Sequence, residues 1–302
     1  MTNEQRMKNL NVPQGIVDAV LDTDAYNEVD DQFAFAYLLR SSERACVKAI
    51  YAAPFHNKRS DSPRDGMEKS YREIKKLLAL AGEERDVYRG SPTYLPNEMT
   101  PVDSPAARDL VERAKRYSPE NPLYIVAIGA ITNIASAILL EPAVAENVVL
   151  VWLGGHAHHF ADTKEFNMMQ DVAAARVVFS SGVPLIQLPC RGVVSHFTIS
   201  KPELEYWFAG KNPLSDYLAK NAIEEADSYA AGKPWTRIIW DVLAVAWLFN
   251  DNDRFMMSRI LPTPELTYDH QYIHHKQETP MRYVYFIKRD VVLEDLIKKI
   301  TA

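Results

Sequence analysis

The chain has 302 residues, 47% hydrophobic and 25% charged, which is enough apolar material for a large buried core. A formal net charge of -6 and the absence of any long Lys/Arg block argue against a nucleic-acid partner and favour small-molecule chemistry. Two cysteines, Cys46 and Cys190, provide no disulfide framework; the stretch "MTNEQRMKNLNVPQG" lacks the apolar core of a signal peptide; and no run reaches the ~18 apolar residues of a spanning helix. A cytoplasmic protein without membrane contact is the expectation.

In chain order, "GIVDAVLD", "CVKAIYAA", "LYIVAIG", "NVVLVWLGG" and "VPLIQLP" read as strands. Between them, "DDQFAFAYLLR", "GMEKSYREIKKLLALAG", "SPAARDLVERAKRY", "TNIASAILLEP" and "DVAAARVVFSSG" carry apolar residues at helical spacing. Alternation of this kind predicts an α/β fold, a mostly parallel central sheet with helices on both faces, whose ligands bind outside the carboxyl ends of the strands. The run "HNKRSDSPRDGMEKSYREIKK", with Ser60, Pro63 and Gly66, reads as an exposed loop leading into a helix. The region 200–240 reads as a helical elaboration of a single domain spanning 1–302, followed by a helix near "IIWDVLAVAWLFN", a strand at "RYVYFIK" and a terminal helix at "LEDLIKKI".

The stretch "LDTDAYNEVDDQFAFAYLLR" places Asp22, Asp24, Glu28, Asp30 and Asp31 within ten residues. If the first run is a strand, Asp22 and Asp24 end it on one side and Asp30 and Asp31 open the next helix, where the helix dipole favours one or two carboxylates. Five are too many for that role, because like charges ~4 Å apart repel by about 4 kcal/mol at an effective dielectric near 20. A bound cation removes the penalty, and oxygen-only ligands select calcium or magnesium over zinc. An EF-hand loop starting at Asp22 fails, since Asn27 and Phe33 stand where Gly and Glu are required. A DxD phosphohydrolase acting through Asp22 or Asp24 remains a competing reading.

These residues resemble the N-terminal DxDxGxDD signature of the nucleoside hydrolases, with a loop two residues longer before the Asp30–Asp31 pair. Three further segments are similar to that family's motifs in the same order: "VAIGAITNIASAILLEP", "VVLVWLGGHAHHFADTKEFNMMQDVAAARVVF" and "WDVLAVAWLF". The resemblance implies a Rossmann-like fold and a calcium-dependent N-ribosyl hydrolase of ribonucleosides or close relatives, with a homodimer or homotetramer as the assembly. It implies Ca2+ held by the side chains of Asp24, Asp31 and Asp241 and the carbonyl of Ile128, with Asp24 as general base. Asp30, Glu165, Asn167 and Asn57 would hold the ribose. A ribose-recognising binding protein with the same fold and little turnover is the alternative from another class.

Two departures bear on substrate. Trp240 stands before Asp241 where many relatives carry His, and stacking on Trp suits a purine better than a small pyrimidine; Asn27 is similar to an Asn of the purine-preferring first motif. The segment "GGHAHHFADTKEFN" lacks the Asn that usually follows the glycines, leaving His158, His159 or Asp162 to replace it. His156, His158 and His159 otherwise read as a solvated loop, His196 as a hydrogen-bonded structural residue, and His274 and His275 carry no assigned role.

Overall fold

A computed structural model describes residues 1–274 and 279–302; His275 lies outside them. Strands that are apolar on both faces need cover on both sides, and the runs read above form such a sheet. The strands are β1 (Val17–Thr23), β2 (Ala45–Ala52), β3 (Val87–Arg89), β4 (Leu123–Ala127), β5 (Val148–Leu153), β6 (Leu185–Leu188), β7 (Met256–Pro262) and β8 (Pro280–Ile287). Their order across the sheet is β3-β2-β1-β4-β5-β6-β8-β7, parallel throughout except for β7, which runs antiparallel to β8 at the edge.

The two-residue period of a strand sorts the core. On β5, Val149, Val151 and Leu153 enter one apolar cluster while Val148, Leu150 and Trp152 enter the other; on β4, Tyr124 and Val126 oppose Leu123, Ile125 and Ala127 in the same way. Each fully buried aliphatic side chain is worth about 1.5–3 kcal/mol. The first cluster is covered by helix α1 (Asp30–Leu39), α2 (Pro63–Ala81), α8 (Val242–Trp247) and α9 (Arg289–Ile300). The second is covered by α3 (Pro105–Ala114), α4 (Thr132–Leu140) and α6 (Val172–Ser180). The short α5 (Phe166–Gln170) and the longer α7 (Pro213–Ala230) complete the helices used below.

Ser62 and Ser104 cap α2 and α3, each followed by a proline at the first helical position, where its missing N–H costs nothing. This corrects the loop reading around residue 63. Pro63 and Gly66 lie inside α2, and a Cβ on Gly66 would sit 2.0 Å from the Phe55 carbonyl oxygen, so the helix packs there only on glycine. In the elaboration, α7 follows an Asn212 capping box and sends Leu214, Leu218 and Ala222 into the first cluster. No helix among the described residues is long and apolar enough to cross a membrane.

Candidate functional site

Strands β1 and β4 are neighbours, yet the chain leaves β1 towards β2 on one side and β4 towards β5 on the other. Such a switch point opens a crevice beyond the strand ends. Asp24 follows β1, Ile128 follows β4, Asp30 and Asp31 form the first turn of α1, Glu165 caps α5 and Asp241 precedes α8. All six line one cavity of about 340 Å³, together with Asn27, Asn167 and Trp240.

Oxygen atoms of Asp30, Asp31 and Asp241 all lie within 4.8 Å of one another. Asp24 is fully buried, and no group among the described residues bonds either of its carboxylate oxygens. Asp30 Oδ1 is likewise buried without a partner, whereas Asp31 accepts from the Thr23 hydroxyl. Burial, and after it the charges of the neighbouring aspartates, pushes the carboxyls of Asp24, Asp31 and Asp241 well above the usual range. Asp30 is pushed up to about 7 by burial and by Glu28, against the opposing charge of Arg237. Buried acceptors without donors are costly, and carboxylates that repel are costlier still, unless positive charge joins them.

The residues present fit a hard divalent cation. The Ile128 carbonyl accepts from Asn167 Nδ2 at 3.2 Å and retains a second lone pair. Gly129 allows the backbone to approach, since a Cβ there would stand 3.1 Å from Asp24 Oδ1 and 3.0 Å from the Ala53 methyl. Cys190, the thiol in the wall, is pushed up by burial and by Glu165, which disfavours the thiolate.

Asp22 takes no part in this wall. Strand alternation predicts it beside Asp24, but β1 ends at Thr23 and the period lapses there; Asp22 Oδ1 instead accepts from Asn133 Nδ2 at 2.7 Å, beneath the sheet end. Glu165 accepts from the backbone N–H groups of Gly155, Asn167 and Met168, each at 2.9 Å. Asn167 donates to the Ile128 and Leu153 carbonyls, which aims its side chain at the switch point. Asn57 stands behind Asn27 rather than in the wall, donating to Asn27 Oδ1 at 2.6 Å. The longer loop is held from outside: Arg59 donates to the Asn27 carbonyl at 2.7 Å and Arg237 to Glu28 at 2.8 Å.

Trp240 lines the cavity while packing against the first apolar cluster. The replacements suggested for the missing Asn are not in the wall. His158 packs between Tyr272 and Tyr283 with Nε2 2.9 Å from Gln187 Oε1, His159 is exposed beside Phe160, and Asp162 accepts from the Lys164 N–H. His196 lies with Nδ1 3.0 Å from the Val193 carbonyl oxygen, as a structural histidine should. His156, Lys164 and Arg191 do line the cavity, and sequence reasoning missed the last two, which are lone basic residues in separate loops.

The fold and the cavity together define an α/β protein with a carboxylate-walled cavity at the carboxyl ends of its parallel strands. The model of the inosine-uridine preferring nucleoside hydrolase family matches residues 19–282, and the chain belongs to that family. It is 32% identical over 162 residues to the non-specific ribonucleoside hydrolase RihC of Salmonella paratyphi B, an alignment covering 51% of this chain and 49% of the relative. The RihC of Salmonella newport matches to the same extent, so the chain spans about half the length of these curated relatives. Among solved structures it is similar to a plant nucleoside hydrolase, the PpNRh1 enzyme, with TM-score 0.73 and 17% identity over 95% of this chain and 99% of that one. A purine-preferring ribonucleoside hydrolase from Gardnerella vaginalis gives TM-score 0.72 and 20% identity over 94% and 98%. At these identities the structures speak for the fold.

Proposed function

We propose that the protein is a calcium-dependent N-ribosyl hydrolase that cleaves ribonucleosides, purine ribosides ahead of uridine, to free base and ribose. The observation that carries the reading is the pair of buried, unpartnered oxygens of Asp24 beside the Asp30, Asp31 and Asp241 cluster at the switch point. Asp24, Asp31, Asp241 and the Ile128 carbonyl would hold the cation. When bound, it supplies Lewis acidity that makes water a better nucleophile near neutral pH.

The chain's own groups account for the rest. Asp24 takes a proton from the water that adds to C1′, an effect worth roughly 10²–10⁴-fold. The C1′–N bond breaks with its electron pair leaving on the base, and the nearby carboxylates favour the positive charge that develops on the sugar. Asp30 and Asn167 hold ribose hydroxyls so that C1′ meets the water in a fixed orientation. Trp240 itself has no acidic proton to give a leaving base; the base gains its proton from solvent and is favoured by stacking, which covers more of a purine than of a pyrimidine. The test is a panel of inosine, guanosine, adenosine, uridine and cytidine with chromatography of base and ribose. Release of both products, fastest from the purines, is expected. Intact nucleosides after prolonged incubation with calcium would overturn the hydrolase reading, and a faster rate on uridine would overturn the purine preference.

A further inference from the structure

One part of the cavity wall is basic. His156, Lys164 and Arg191 line it beside Glu165. The loops after β5 and β6 are tied together there, the Ala157 N–H donating to the Arg191 carbonyl at 3.0 Å and the Cys190 N–H to the Gly155 carbonyl at 2.8 Å. Among the described residues, no carboxylate lies within ion-pair reach of Lys164 or Arg191. His156 is only 7% exposed, and its Nδ1 is buried with no hydrogen-bond partner. Glu165 forms no ion pair with Lys164 or Arg191; its oxygens accept from the three backbone N–H groups named above and from the Cys190 thiol.

Ribose hydroxyls can accept from these donors but bring no opposite charge to the two solvent-exposed cations, Lys164 and Arg191. A tetrahedral oxyanion with several acceptor oxygens satisfies all three. Asn27, Glu28, Trp240 and the aspartate cluster line the same cavity. The pose required places the base on Trp240, C1′ by Asp24 and the exocyclic C5′ towards Glu165 and the basic residues.

We propose that His156, Lys164 and Arg191 form a phosphate subsite and that the substrate class is the ribonucleoside 5′-monophosphates. This rests on the hydrolase reading above. Water adds to C1′, the base leaves with the C1′–N electron pair and is protonated by solvent, and ribose 5-phosphate is released with its phosphate ester untouched.

The experiment compares kcat/KM for inosine 5′-monophosphate with that for inosine, in the unaltered protein, Lys164→Gln and Arg191→Gln, all with calcium. Charge-assisted hydrogen bonds predict a preference for the monophosphate of roughly 10-fold or more, falling roughly 10-fold in each variant. The ratio cancels damage common to both substrates. A ratio at or below unity, or one that neither variant moves, would overturn the subsite and show that the cations only offset the acidic wall. If neither compound is cleaved, the hydrolase reading falls on its own, and calorimetry of the calcium-loaded protein decides the subsite. Tighter binding of the monophosphate, lost in Arg191→Gln, supports it; equal binding of the two compounds refutes it.

Discussion

Replacing Asp241 with Asn should stabilise the metal-free protein and, in the same variant, remove most of the stability that calcium adds. Asp241 is 3% exposed and shares with Asp30 and Asp31 a set of oxygens within 4.8 Å of one another. At that separation and an effective dielectric near 20, each like-charge pair costs about 3.5 kcal/mol. The neutral amide removes two of the three pairs among these residues. Proton sharing already relieves part of the repulsion, since Asp30 is pushed up to about 7. The net gain expected at about pH 8 is a few kcal/mol, at roughly 2 °C of Tm per kcal/mol for a chain of this size. In the unaltered protein, calcium at ~100 times its Kd adds about 2.7 kcal/mol, and the variant should retain less than half of that at the same concentration. Scanning calorimetry of both proteins, after chelation and again with calcium, reads both quantities. A variant that is less stable without metal yet shows the full calcium-induced shift would make Asp241 a structural residue and not a cation ligand.

Asp24→Asn should keep the fold and lower turnover by at least ~10²-fold, since it removes both a proton acceptor and a cation ligand; steady-state assays beside circular dichroism check this, and near-normal turnover would reassign the base to Asp30. Trp240→Ala should lose more activity on inosine than on a p-nitrophenyl riboside, whose leaving group needs no protonation, and equal losses would leave Trp240 a packing residue. His158, pushed down to about 4 chiefly by burial, stays neutral in the folded chain while its unfolded counterpart takes up a proton. Its contribution to stability is therefore complete above the unfolded value and lost as pH falls from ~6.5 towards 4, by as much as ~3 kcal/mol. Urea unfolding at several pH values should show a shallower acid loss in His158→Phe, and parallel curves for the two proteins would contradict the assignment.

The parallel sheet could be read from the sequence because its strands are buried on both faces, so that "NVVLVWLGG" and "LYIVAIG" stand out as apolar runs. The edge strand β7 could not, since only Met256 of it is buried and the polar Ser258 and Arg259 interrupt its apolar residues. The acidic half of the site was visible because its carboxylates crowd one short stretch and strand-to-helix junctions place them at one end of the sheet. The basic half was not: His156, Lys164 and Arg191 are single residues that meet only because the loops after β5 and β6 are hydrogen-bonded together. Asn57 shows a different limit, because its proximity to the site was readable and its role behind Asn27 depends on a side-chain bond that spacing does not encode.

The most direct test of the central claim is ribose release from inosine while calcium is titrated back into chelator-stripped protein. The stripped protein should release none, and recovery should saturate at one calcium per chain and be lost in Asp31→Asn. Undiminished release in excess chelator, or full recovery in Asp31→Asn at the same calcium, would contradict the claim.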